Sequence, residues 1–333
     1  MIADYLNKLN STRNLSDEQF LSILDQLALE LSETDYSFSY SEEDLRYDWK
    51  KLKRFGTNDK TIPAGKREGM RLIEHFMTNF HETEDAKGRS VAKLWKDPEF
   101  LKKVWSWNRK AHTTPYISEL KRGVYFCSGM PKVTMYRPTQ MKNVCDWFEP
   151  KVVLDPCAGW GGRMLGACSR KGTKYYSFEP NTKTFGNLMR IKEFLKLESA
   201  QIWNCGAEDM LDYVKEPVDL ILTSPPYFNV EVYTKEETQS ISKHDTYAAW
   251  RDLWLKDVIS KAISLLSEDG VSCWNVAKFG KFDLVQDVIN IHSELGFVQI
   301  DSFGVSNSVR PGVKKDKPKI NIDTTMVFKK VKS

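Results

Sequence analysis

The sequence predicts an α/β protein with a doubly wound sheet and helices on both of its faces, preceded by a helical N-terminal domain. Short apolar runs that end in polar or glycine-rich turns recur from residue 151 onward. Segments with apolar residues at helical spacing separate these runs, as is typical of parallel strands joined by crossover helices. The first 125 residues instead show a series of helix-start signals. We therefore predict a helical domain over 1–125 and a sheet domain over 126–333.

The composition is that of a globular protein without a membrane span. Hydrophobic residues make up 41% and charged residues 28% of the 333 residues, and no apolar run approaches the roughly 18 residues that a membrane helix requires. The N-terminus lacks the basic patch and apolar stretch of a secretion signal, so we expect a cytoplasmic protein. The six cysteines include no Cys-x-x-Cys pair and no partnering His cluster, so we expect reduced thiols and no bound metal.

Charge is distributed unevenly along the first part of the chain. Although the formal net charge is only +4, residues 1–45 are acidic, whereas Lys and Arg outnumber Asp and Glu over 46–122. Such segregation favours a surface that meets phosphate. Helices are predicted over 16–32, 41–55 and 66–79, from capping serines and from apolar residues at helical spacing.

Basic and aromatic residues alternate over 97–121, and this pattern has two interpretations. The residues are Phe100, Lys102, Lys103, Trp105, Trp107, Arg109, Lys110, His112, Tyr116 and Lys121. A groove with cations for phosphates and rings for stacking would suit single-stranded or flipped nucleotides. An amphipathic helix with its tryptophans in the core and its lysines in solvent would show the same pattern. His112 has no identifiable partner, so we expect a surface or packing role for it.

A glycine-rich turn follows the first predicted strand, 151–154. The sequence here is Leu154-Asp155-Pro156-Cys157-Ala158-Gly159-Trp160-Gly161-Gly162, and a helix is predicted over 163–170. A side chain on such a turn would keep the backbone away from a bound nucleoside, and the helix N-terminus offers unpaired N–H groups. The pattern therefore indicates a cofactor cradle, although nucleotide, dinucleotide and methyl-donor enzymes all use one.

The next predicted strand narrows the choice of cofactor. It covers 175–179 and ends in Glu179-Pro180, about twenty residues beyond the glycines, where a carboxylate can accept hydrogen bonds from both ribose hydroxyls. No phosphate-binding motif accompanies the turn, since Gly159-x-Gly161-Gly162 lacks the full Gly-x-Gly-x-x-Gly spacing and no Gly-x-x-x-x-Gly-Lys-Ser/Thr is present. A ribose-containing ligand is therefore expected.

The strand predicted over 218–223 ends in Ser224-Pro225-Pro226-Tyr227. Two prolines lock the backbone just beyond the carboxyl end of a strand and hold an aromatic ring at the mouth of the sheet. With the glycine turn and the ribose acid before this tetrapeptide, the chain over 136–330 resembles the S-adenosylmethionine-dependent DNA amino-methyltransferases. In that family the tetrapeptide is Asp, Asn or Ser followed by Pro-Pro and an aromatic residue.

The resemblance implies a Rossmann-like methyltransferase sheet that closes with an antiparallel hairpin. In the rest of the chain, helices are predicted over 181–197, 247–266 and 282–295, and strands over 200–205, 271–276, 297–305 and 324–331. A polar loop, 228–245, follows the tetrapeptide, and a basic loop, 310–319, joins the last two strands. No sizeable domain follows the last strand, so we expect the N-terminal helices or one of these loops to recognise the target.

The resemblance also implies a set of residues that bind S-adenosylmethionine. Around the turn and the ribose this set is Asp155, Cys157, Ala158, Gly159, Gly161, Glu179 and Pro180. Pro138 and Thr139, in a turn before a helix that ends near 148, would close over the methionine end, with Arg137 as a partner for its carboxylate; a plain linker helix is the alternative. Glu208 and Asp209, of which Asp209 is favoured, would accept the adenine amino group; alternatively they are exposed loop acids.

The same resemblance implies methyl transfer to an exocyclic amine of a DNA base, with a catalytic set of Ser224, Pro225, Pro226 and Tyr227. Ser224 Oγ and the Pro225 carbonyl would accept hydrogen bonds from the amine, and Tyr227 would stack on the base. Ser at the first position favours cytosine N4 over adenine N6. Pro-Cys is also the nucleophile motif of cytosine carbon-5 methyltransferases, but Cys157 lies in the cofactor turn, so we favour a structural role. RNA or free nucleotides as substrates, or an inactive nucleic-acid-binding subunit, are the alternatives.

Overall fold

The computed structural model describes residues 12–85, 87–111, 114–130, 134–230, 232–306 and 322–331. Two features from the sequence analysis, His112 and the basic loop 310–319, lie outside the described residues. The chain forms two compact units. The first comprises Met1–Phe38, Thr78–Thr134 and Glu231–Tyr233, and the second comprises Ser39–Met77, Met135–Val230 and Thr234–Ser333.

The helices, in chain order, are α1 (Asp17–Ser32), α2 (Glu42–Arg54), α3 (Met70–Phe76), α4 (Val91–Trp95), α5 (Pro98–Lys110), α6 (Ile117–Ser128), α7 (Pro138–Phe148), α8 (Gly162–Cys168), α9 (Thr182–Leu195), α10 (Met210–Tyr213), α11 (Tyr247–Ala249), α12 (Lys256–Ser264) and α13 (Leu284–Glu294). A π-helical segment, Trp250–Leu255, joins α11 to α12. The strands are β1 (Thr61–Ile62), β2 (Val152–Asp155), β3 (Lys174–Phe178), β4 (Ala200–Trp203), β5 (Val218–Thr223), β6 (Leu266–Asn275), β7 (Phe297–Ser306) and β8 (Ile322–Lys330). Among the described residues, none of the helices has the length and apolar character needed to cross a membrane.

The first unit is helical, and α1, α4, α5 and α6 pack around a shared apolar core. Ser16 starts α1 with a capping box, in which its hydroxyl accepts from the Gln19 N–H and the Gln19 side chain accepts from the Ser16 N–H. Of the tryptophans in the basic segment, Trp105 is fully buried, whereas Trp107 is only partly buried. The Trp105 indole N–H donates to the Leu27 carbonyl over 3.3 Å. The burial of Trp105 therefore agrees with the interpretation of this segment as an amphipathic helix.

The second unit is built on a sheet whose described strands have the order β1-β7-β8-β6-β5-β2-β3-β4. Strands β4, β3, β2, β5 and β6 are parallel to one another, whereas β8 runs antiparallel to both β6 and β7. A parallel series that closes with an antiparallel hairpin is the arrangement that the sequence predicts. The predicted α/β fold is therefore confirmed.

Residues 39–77 are placed by the sequence analysis with the N-terminal helices, but they belong to the second unit. Strand β1 pairs in parallel with β7, with Thr61 opposite Gly304. The helix predicted over 66–79 is shorter, because Gly69 precedes α3 with a φ of +87° and Met77 ends it. A two-residue strand such as β1 is too short to leave a pattern in the sequence. A separately folding domain of residues 1–125 stays a prediction.

The strand order brings the three sequence motifs to one edge of the sheet. Strand β2 lies between β3 and β5, and all three are parallel, so their carboxyl ends meet at that edge. Asp155 ends β2, Glu179 follows β3 and Ser224 follows β5. The chain moves outward from β2 to β4 and then crosses to β5 on the other side. Open α/β sheets bind ligands in the crevice at such a switch point.

Candidate active site

The turn between β2 and α8 contains two glycines in the left-handed region, Gly159 with a φ of +54° and Gly161 with a φ of +82°. Other residues rarely adopt these angles, so this backbone path depends on glycine. Between β2 and the glycines, the Ala158 N–H donates to the Phe178 carbonyl over 2.9 Å. The turn is thereby attached to the end of β3 as well as to β2.

The same turn is attached to β5. The Cys157 N–H donates to Asp155 Oδ1 over 3.3 Å and to Thr223 Oγ1 over 3.1 Å. Thr223 is the last residue of β5 and directly precedes Ser224. One backbone donor therefore links the glycine turn to the first residue of the Ser-Pro-Pro-Tyr motif through a single intervening residue.

Asp155 is fully buried and is paired with Arg163. Arg163 Nε lies 2.7 Å from Asp155 Oδ2, and the Tyr175 hydroxyl donates to the same oxygen over 2.6 Å. A second N–H group of the guanidinium donates to the Cys157 carbonyl, and the guanidinium carbon lies 5.3 Å from the centroid of the Tyr136 ring. Burial raises the pKa of Asp155, and the Arg163 guanidinium opposes that rise. Arg163 therefore holds the acid and the turn together.

Arg163 is absent from the residues that the sequence analysis singled out. In the sequence it is only the first residue of the helix predicted over 163–170. The signal that could have identified it is a charged residue in a helix, Gly162–Cys168, whose other residues are small or apolar. Such a helix is buried on most sides, and a buried cation requires a partner.

Glu179 is 8% exposed, and each carboxylate oxygen accepts one backbone hydrogen bond. Oε2 accepts from the Gly159 N–H over 3.1 Å, and Oε1 accepts from the Asn181 N–H over 2.9 Å. An ionised carboxylate can accept about four hydrogen bonds, so both oxygens can also accept from a ligand. Burial raises the pKa of Glu179 to about 8, although the two backbone donors oppose the rise. Beside it, the Pro180 carbonyl accepts a hydrogen bond from the Thr238 hydroxyl over 3.2 Å.

The two acids that follow β4 have different surroundings. Glu208 accepts hydrogen bonds from the Trp254 indole, over 3.0 Å, and from the Lys243 ammonium. Burial acts to raise the pKa of Glu208, but the Lys243 ammonium, the Glu208 backbone N–H and the Trp254 indole together outweigh burial and hold the pKa below its usual value. Asp209 is exposed. Glu208 therefore already has charged and polar partners, whereas the Asp209 side chain faces solvent.

The segment before α7 lies directly against α8. A Cβ atom on Gly162 would come within 1.8 Å of the Tyr136 carbonyl oxygen, and one on Gly166 within 2.5 Å of the Pro138 carbonyl oxygen. This close approach therefore depends on glycine at both positions of α8. Pro138 is the first residue of α7, where its missing N–H leaves no helical hydrogen bond unmade.

Thr139 and Arg137 have partners in the segment before α3. The Thr139 side chain is fully buried, and its hydroxyl donates to the Lys66 carbonyl over 3.3 Å. Arg137 donates to the carbonyls of Ala64 and Lys66. These two side chains therefore fix residues 64–66 against the start of α7.

The tetrapeptide leaves β5 with Pro225 buried and with Ser224 and Tyr227 partly buried. The Tyr227 ring meets the Phe279 ring edge-on, with centroids 5.7 Å apart and an angle of 66° between the planes. Phe279 lies in a tight turn after β6, in which its N–H and its carbonyl both pair with Phe282. The connection that follows the neighbouring strand thus supports the tyrosine ring.

The residue after the tetrapeptide, Phe228, has a φ of +47°. This left-handed conformation is uncommon for a residue other than glycine and marks local strain. The buried Phe228 ring packs against Tyr247, Trp250 and Phe282. Tyr247 and Phe282 are themselves stacked, with centroids 4.1 Å apart. The chain therefore turns Phe228 into the core directly after Tyr227.

The polar loop after the tetrapeptide is attached to the end of β3. The Thr182 hydroxyl, at the start of α9, donates to Glu236 Oε2 over 3.0 Å. Farther along, the Trp250 indole N–H donates to Ser240 Oγ over 3.0 Å. The loop therefore runs from the β5 end past the segment that follows Glu179 and then joins the aromatic core.

Cys157 has the surroundings of a structural thiol. Burial raises the pKa of the Cys157 thiol above its usual range, and the Asp155 carboxylate adds to the rise. A thiol of raised pKa is protonated at neutral pH and is a poor nucleophile. In the part of the chain that the structure describes, no group of three or more His, Cys, Asp and Glu side chains is arranged to hold a metal ion.

Comparison with protein families agrees with this arrangement. Residues 218–333, from the first residue of β5 onward, match the family model N6_N4_Mtase, described as DNA methylase. Over this stretch the chain is similar to the DNA amino-methyltransferases. The resemblance predicted from the sequence is confirmed, and so is S-adenosylmethionine as the cofactor of this fold and family. Residues 131–249 also match a model described as conserved hypothetical protein 95.

A curated relative is the Type II methyltransferase M.MjaVI of Methanocaldococcus jannaschii. The two sequences are 35% identical over 115 residues, which cover 31% of this chain and 56% of the relative. This chain therefore spans about half the length of the curated relative that it matches.

Three solved structures have a backbone similar to part of this chain. A putative rRNA methylase of Clostridium thermocellum is 14% identical, with a TM-score of 0.39, over 60% of this chain and 99% of that chain. TrmN from Thermus thermophilus is 18% identical, with a TM-score of 0.39, over 58% of this chain and 49% of that chain. A putative methyltransferase from Streptococcus mutans in complex with SAH is 16% identical, with a TM-score of 0.39, over 59% and 99%. These TM-scores are below 0.5, so the three structures carry no argument about a substrate.

Proposed function

We propose that this protein transfers the methyl group of S-adenosylmethionine to an exocyclic amine of a DNA base, with cytosine N4 favoured over adenine N6. The observation that carries the proposal is the 3.1 Å hydrogen bond from the Cys157 N–H to Thr223 Oγ1. It joins the turn expected to hold the donor to the residue before Ser224. A donor held at the turn and an amine held at Ser224 would be close enough for direct transfer.

The nucleoside part of the cofactor is assigned to the ends of β2 and β3. Glu179 would accept hydrogen bonds from both ribose hydroxyls, because each of its oxygens has one backbone donor and can accept another. The backbone from Cys157 to Gly161 would lie against the nucleoside, with Ala158 and Gly159 leaving room for it. Asp155 would act through Arg163, which holds this turn in shape.

The two ends of the cofactor are assigned to residues farther from the turn. Asp209 suits the adenine amino group better than Glu208 does, because Glu208 is already bonded to Lys243 and Trp254. Pro138 and Thr139 are assigned to the methionine end, since the start of α7 packs on α8 at the end of the glycine turn.

The tetrapeptide is assigned to the target amine. Its lone pair is delocalised into the base, so it is a weak nucleophile until acceptors draw its N–H groups out of the ring plane. Ser224 Oγ and the Pro225 carbonyl would be these acceptors, with Pro226 fixing the backbone and Tyr227 stacking on the base. The cofactor supplies a methyl group on a positively charged sulfur. A nitrogen–carbon bond would form as the carbon–sulfur bond of the donor breaks, and the amine would lose one proton to solvent.

DNA is preferred as the substrate because of the relatives that the chain matches. One is described as a Type II methyltransferase, and the family model is described as DNA methylase. A base inside a duplex cannot reach acceptors at the end of a strand, so a double-stranded substrate would have to present a flipped base. Methyl transfer to RNA or to a free nucleotide would use the same acceptors and is the alternative.

Product analysis tests the proposal. The full-length protein is incubated with donor that carries a radiolabelled methyl group and with DNA, RNA or nucleotides, and the digested products are identified by mass spectrometry. We expect N4-methylcytosine in DNA. N6-methyladenine as the product would identify adenine and not cytosine as the target base. Label found only in RNA or nucleotides would show that DNA is not the substrate. Absence of label together with an absence of saturable donor binding would favour an inactive nucleic-acid-binding subunit.

A further inference from the structure

Two helices of the first unit share an exposed face that combines cations with aromatic rings. On α5, Lys103, Trp107 and Lys110 recur at positions i, i+4 and i+7, so they lie on one side of the helix. On α6, Arg122 and Phe126 are related by i and i+4 in the same way. We refer to these five residues as the Trp107 platform.

The rings of the Trp107 platform are stacked at the surface. The Trp107 and Phe126 ring centroids are 5.1 Å apart with 13° between the planes, and Phe126 is 58% exposed. The guanidinium carbon of Arg122 lies 5.7 Å from the Trp107 centroid and 5.8 Å from the Phe126 centroid. The Phe126 ring is left in solvent and forgoes the stabilisation that burial would give it, so core packing does not account for its position.

A glycine on α6 makes room for the indole. A Cβ atom on Gly123 would come within 2.9 Å of both Trp107 Cε3 and Val104 Cγ1. Glycine inside a helix lowers helix stability relative to alanine. Its presence at this point of α6 is explained by the close approach of α5, which holds the Trp107 ring flat against α6.

The Trp107 platform carries positive charge. Lys103 and Lys110 are exposed, and neither forms an ion pair with another described residue. Arg122 is paired with Glu119 over 2.6 Å, so the net charge comes from the two lysines. Cations beside a stacking surface match an unpaired strand of nucleic acid, since its phosphates can meet the lysines while a base stacks on the ring. A neutral or basic protein surface would gain nothing from these lysines.

We propose that the Trp107 platform binds a single-stranded segment of nucleic acid, with a base on the exposed ring and phosphates at Lys103 and Lys110. This goes beyond the proposed function, because the binding surface belongs to the helical unit and not to the methyl-transfer site. Both interpretations of the basic and aromatic pattern over 97–121 then apply, each to a different tryptophan. Trp105 serves the core, and Trp107 serves a binding face.

The test uses the full-length protein and a fluorescein-labelled oligothymidylate of about 16 nucleotides, the upper site size of one single-strand-binding domain. Fluorescence anisotropy gives Kd at several salt concentrations. Phe126→Ala should raise Kd by about 5- to 150-fold, the effect of losing one base–ring stack. Trp107→Ala should also raise Kd, because Phe126 loses the ring on which it is stacked. Replacing Lys103 and Lys110 with Gln should reduce the slope of log Kd against log salt by roughly 0.7 for each lost phosphate contact.

Tyr47→Ala is the matched control. Tyr47 lies on α2, is 55% exposed and has Lys51 Nζ at 4.9 Å from its ring centroid, so it also pairs an exposed ring with a cation. We expect its Kd to equal that of the wild type. Circular dichroism shows whether Trp107→Ala folds; if it does not, Phe126→Ala at its exposed site carries the test.

Two outcomes would overturn the platform assignment. One is a wild-type protein that does not bind the oligonucleotide, and the other is unchanged Kd in Phe126→Ala; either would leave a protein partner as the reason for the exposed rings. Methyl transfer to DNA is measured on the same preparations. Transfer without oligonucleotide binding overturns the platform alone. Binding that Phe126→Ala weakens, in a protein that transfers no methyl group to any substrate, supports the platform and contradicts the proposed function.

Discussion

The N–H of Gly159 donates a hydrogen bond of 3.1 Å to the Glu179 carboxylate. The bond joins the glycine turn after β2 to the acid after β3. Glu179 is therefore both a support of the turn and the candidate acceptor for the ribose hydroxyls. Its replacement should alter donor binding through the loss of these acceptors.

Glu179→Ala should weaken binding of S-adenosylmethionine by about 1–3 kcal/mol, because the ribose hydroxyls would lose their partners in a water-poor site. Isothermal titration calorimetry measures the change. Glu198→Ala, at an exposed glutamate before β4, is the control and should bind the donor like the wild type. Equal donor affinity in Glu179→Ala and the wild type would remove Glu179 from the ribose site.

Donor affinity should rise with pH through the pKa of Glu179. Burial raises this pKa to about 8, so below that pH the free protein holds a protonated carboxyl group. The ionised form is the better acceptor for two hydroxyls, and affinity should therefore increase up to about tenfold for each pH unit below pH 8. Calorimetry at several pH values checks this. Glu179→Gln, which does not titrate, should bind weakly at every pH, and a flat wild-type profile would contradict the prediction.

The same shift has a consequence for stability. The folded protein keeps a proton on Glu179 up to about pH 8, whereas the unfolded chain releases it near 4.5. More protons are bound in the folded state between these values, so the free energy of unfolding should fall as pH rises through this window. Urea unfolding at several pH values should show that the free energy of unfolding falls less with rising pH in Glu179→Gln than in the wild type. A larger fall in the variant would contradict the predicted direction of this pH dependence.

Tyr227→Ala should keep donor affinity and lose most turnover, because the ring is expected to stack on the substrate base. The edge contact with the Phe279 ring would also be lost. Calorimetry and the radiolabelled transfer assay separate the two effects. The Tyr47→Ala variant, at an exposed ring on α2, should turn over at the wild-type rate. Wild-type turnover in Tyr227→Ala would exclude this residue from the site.

Ser224→Ala should fold and bind the donor like the wild type, since Pro225 and Pro226 still fix the turn. Turnover should fall by the equivalent of about 2–4 kcal/mol of barrier, the effect of removing one preorganised polar contact to a reacting centre. Single-turnover kinetics with the identified substrate measure it. A product methylated at cytosine carbon-5, with activity that depends on Cys157, would require a covalent thiolate adduct and would replace this mechanism altogether.

Arg163→Met should destabilise the fold by about 3–5 kcal/mol, because Asp155 would be left as a buried charge without a cationic partner. Urea unfolding monitored by circular dichroism gives the difference. Adding Asp155→Asn to this variant should recover part of the loss, since the second substitution removes the unpaired charge. The effect of Asp155→Asn alone on the free energy of unfolding is the reference. If adding Asp155→Asn to Arg163→Met lowered the free energy of unfolding by that same amount, the two side chains would not act as a pair.

The sheet and its ligand edge could be predicted from the sequence because their signals are local. A buried strand followed by Asp155 and glycines, another followed by Glu179, and a third followed by Ser-Pro-Pro-Tyr place their ends together once the strands are parallel. The roles of individual site residues stay predictions, since no ligand contact tests them.

Other features depend on contacts between distant segments and leave no local pattern. Strand β1 is defined only by its pairing with β7, some 240 residues later in the chain. Arg163 becomes part of the site only through Asp155 and Cys157, and Phe279 only through Tyr227. In the basic segment, the separation of Trp105 from Trp107 required knowledge of which helix lies on each side.

The pairing of β1 with β7 also decides where the chain can be cut. A fragment that begins at residue 126, the boundary that the sequence suggests, would lack Thr61 and Ile62 and leave one side of β7 uncovered. The amide and carbonyl groups facing β1 would then be open to a strand from another molecule, which is how exposed sheet edges lead to aggregation. A fragment meant for crystallisation or for isotope labelling should therefore start before β1.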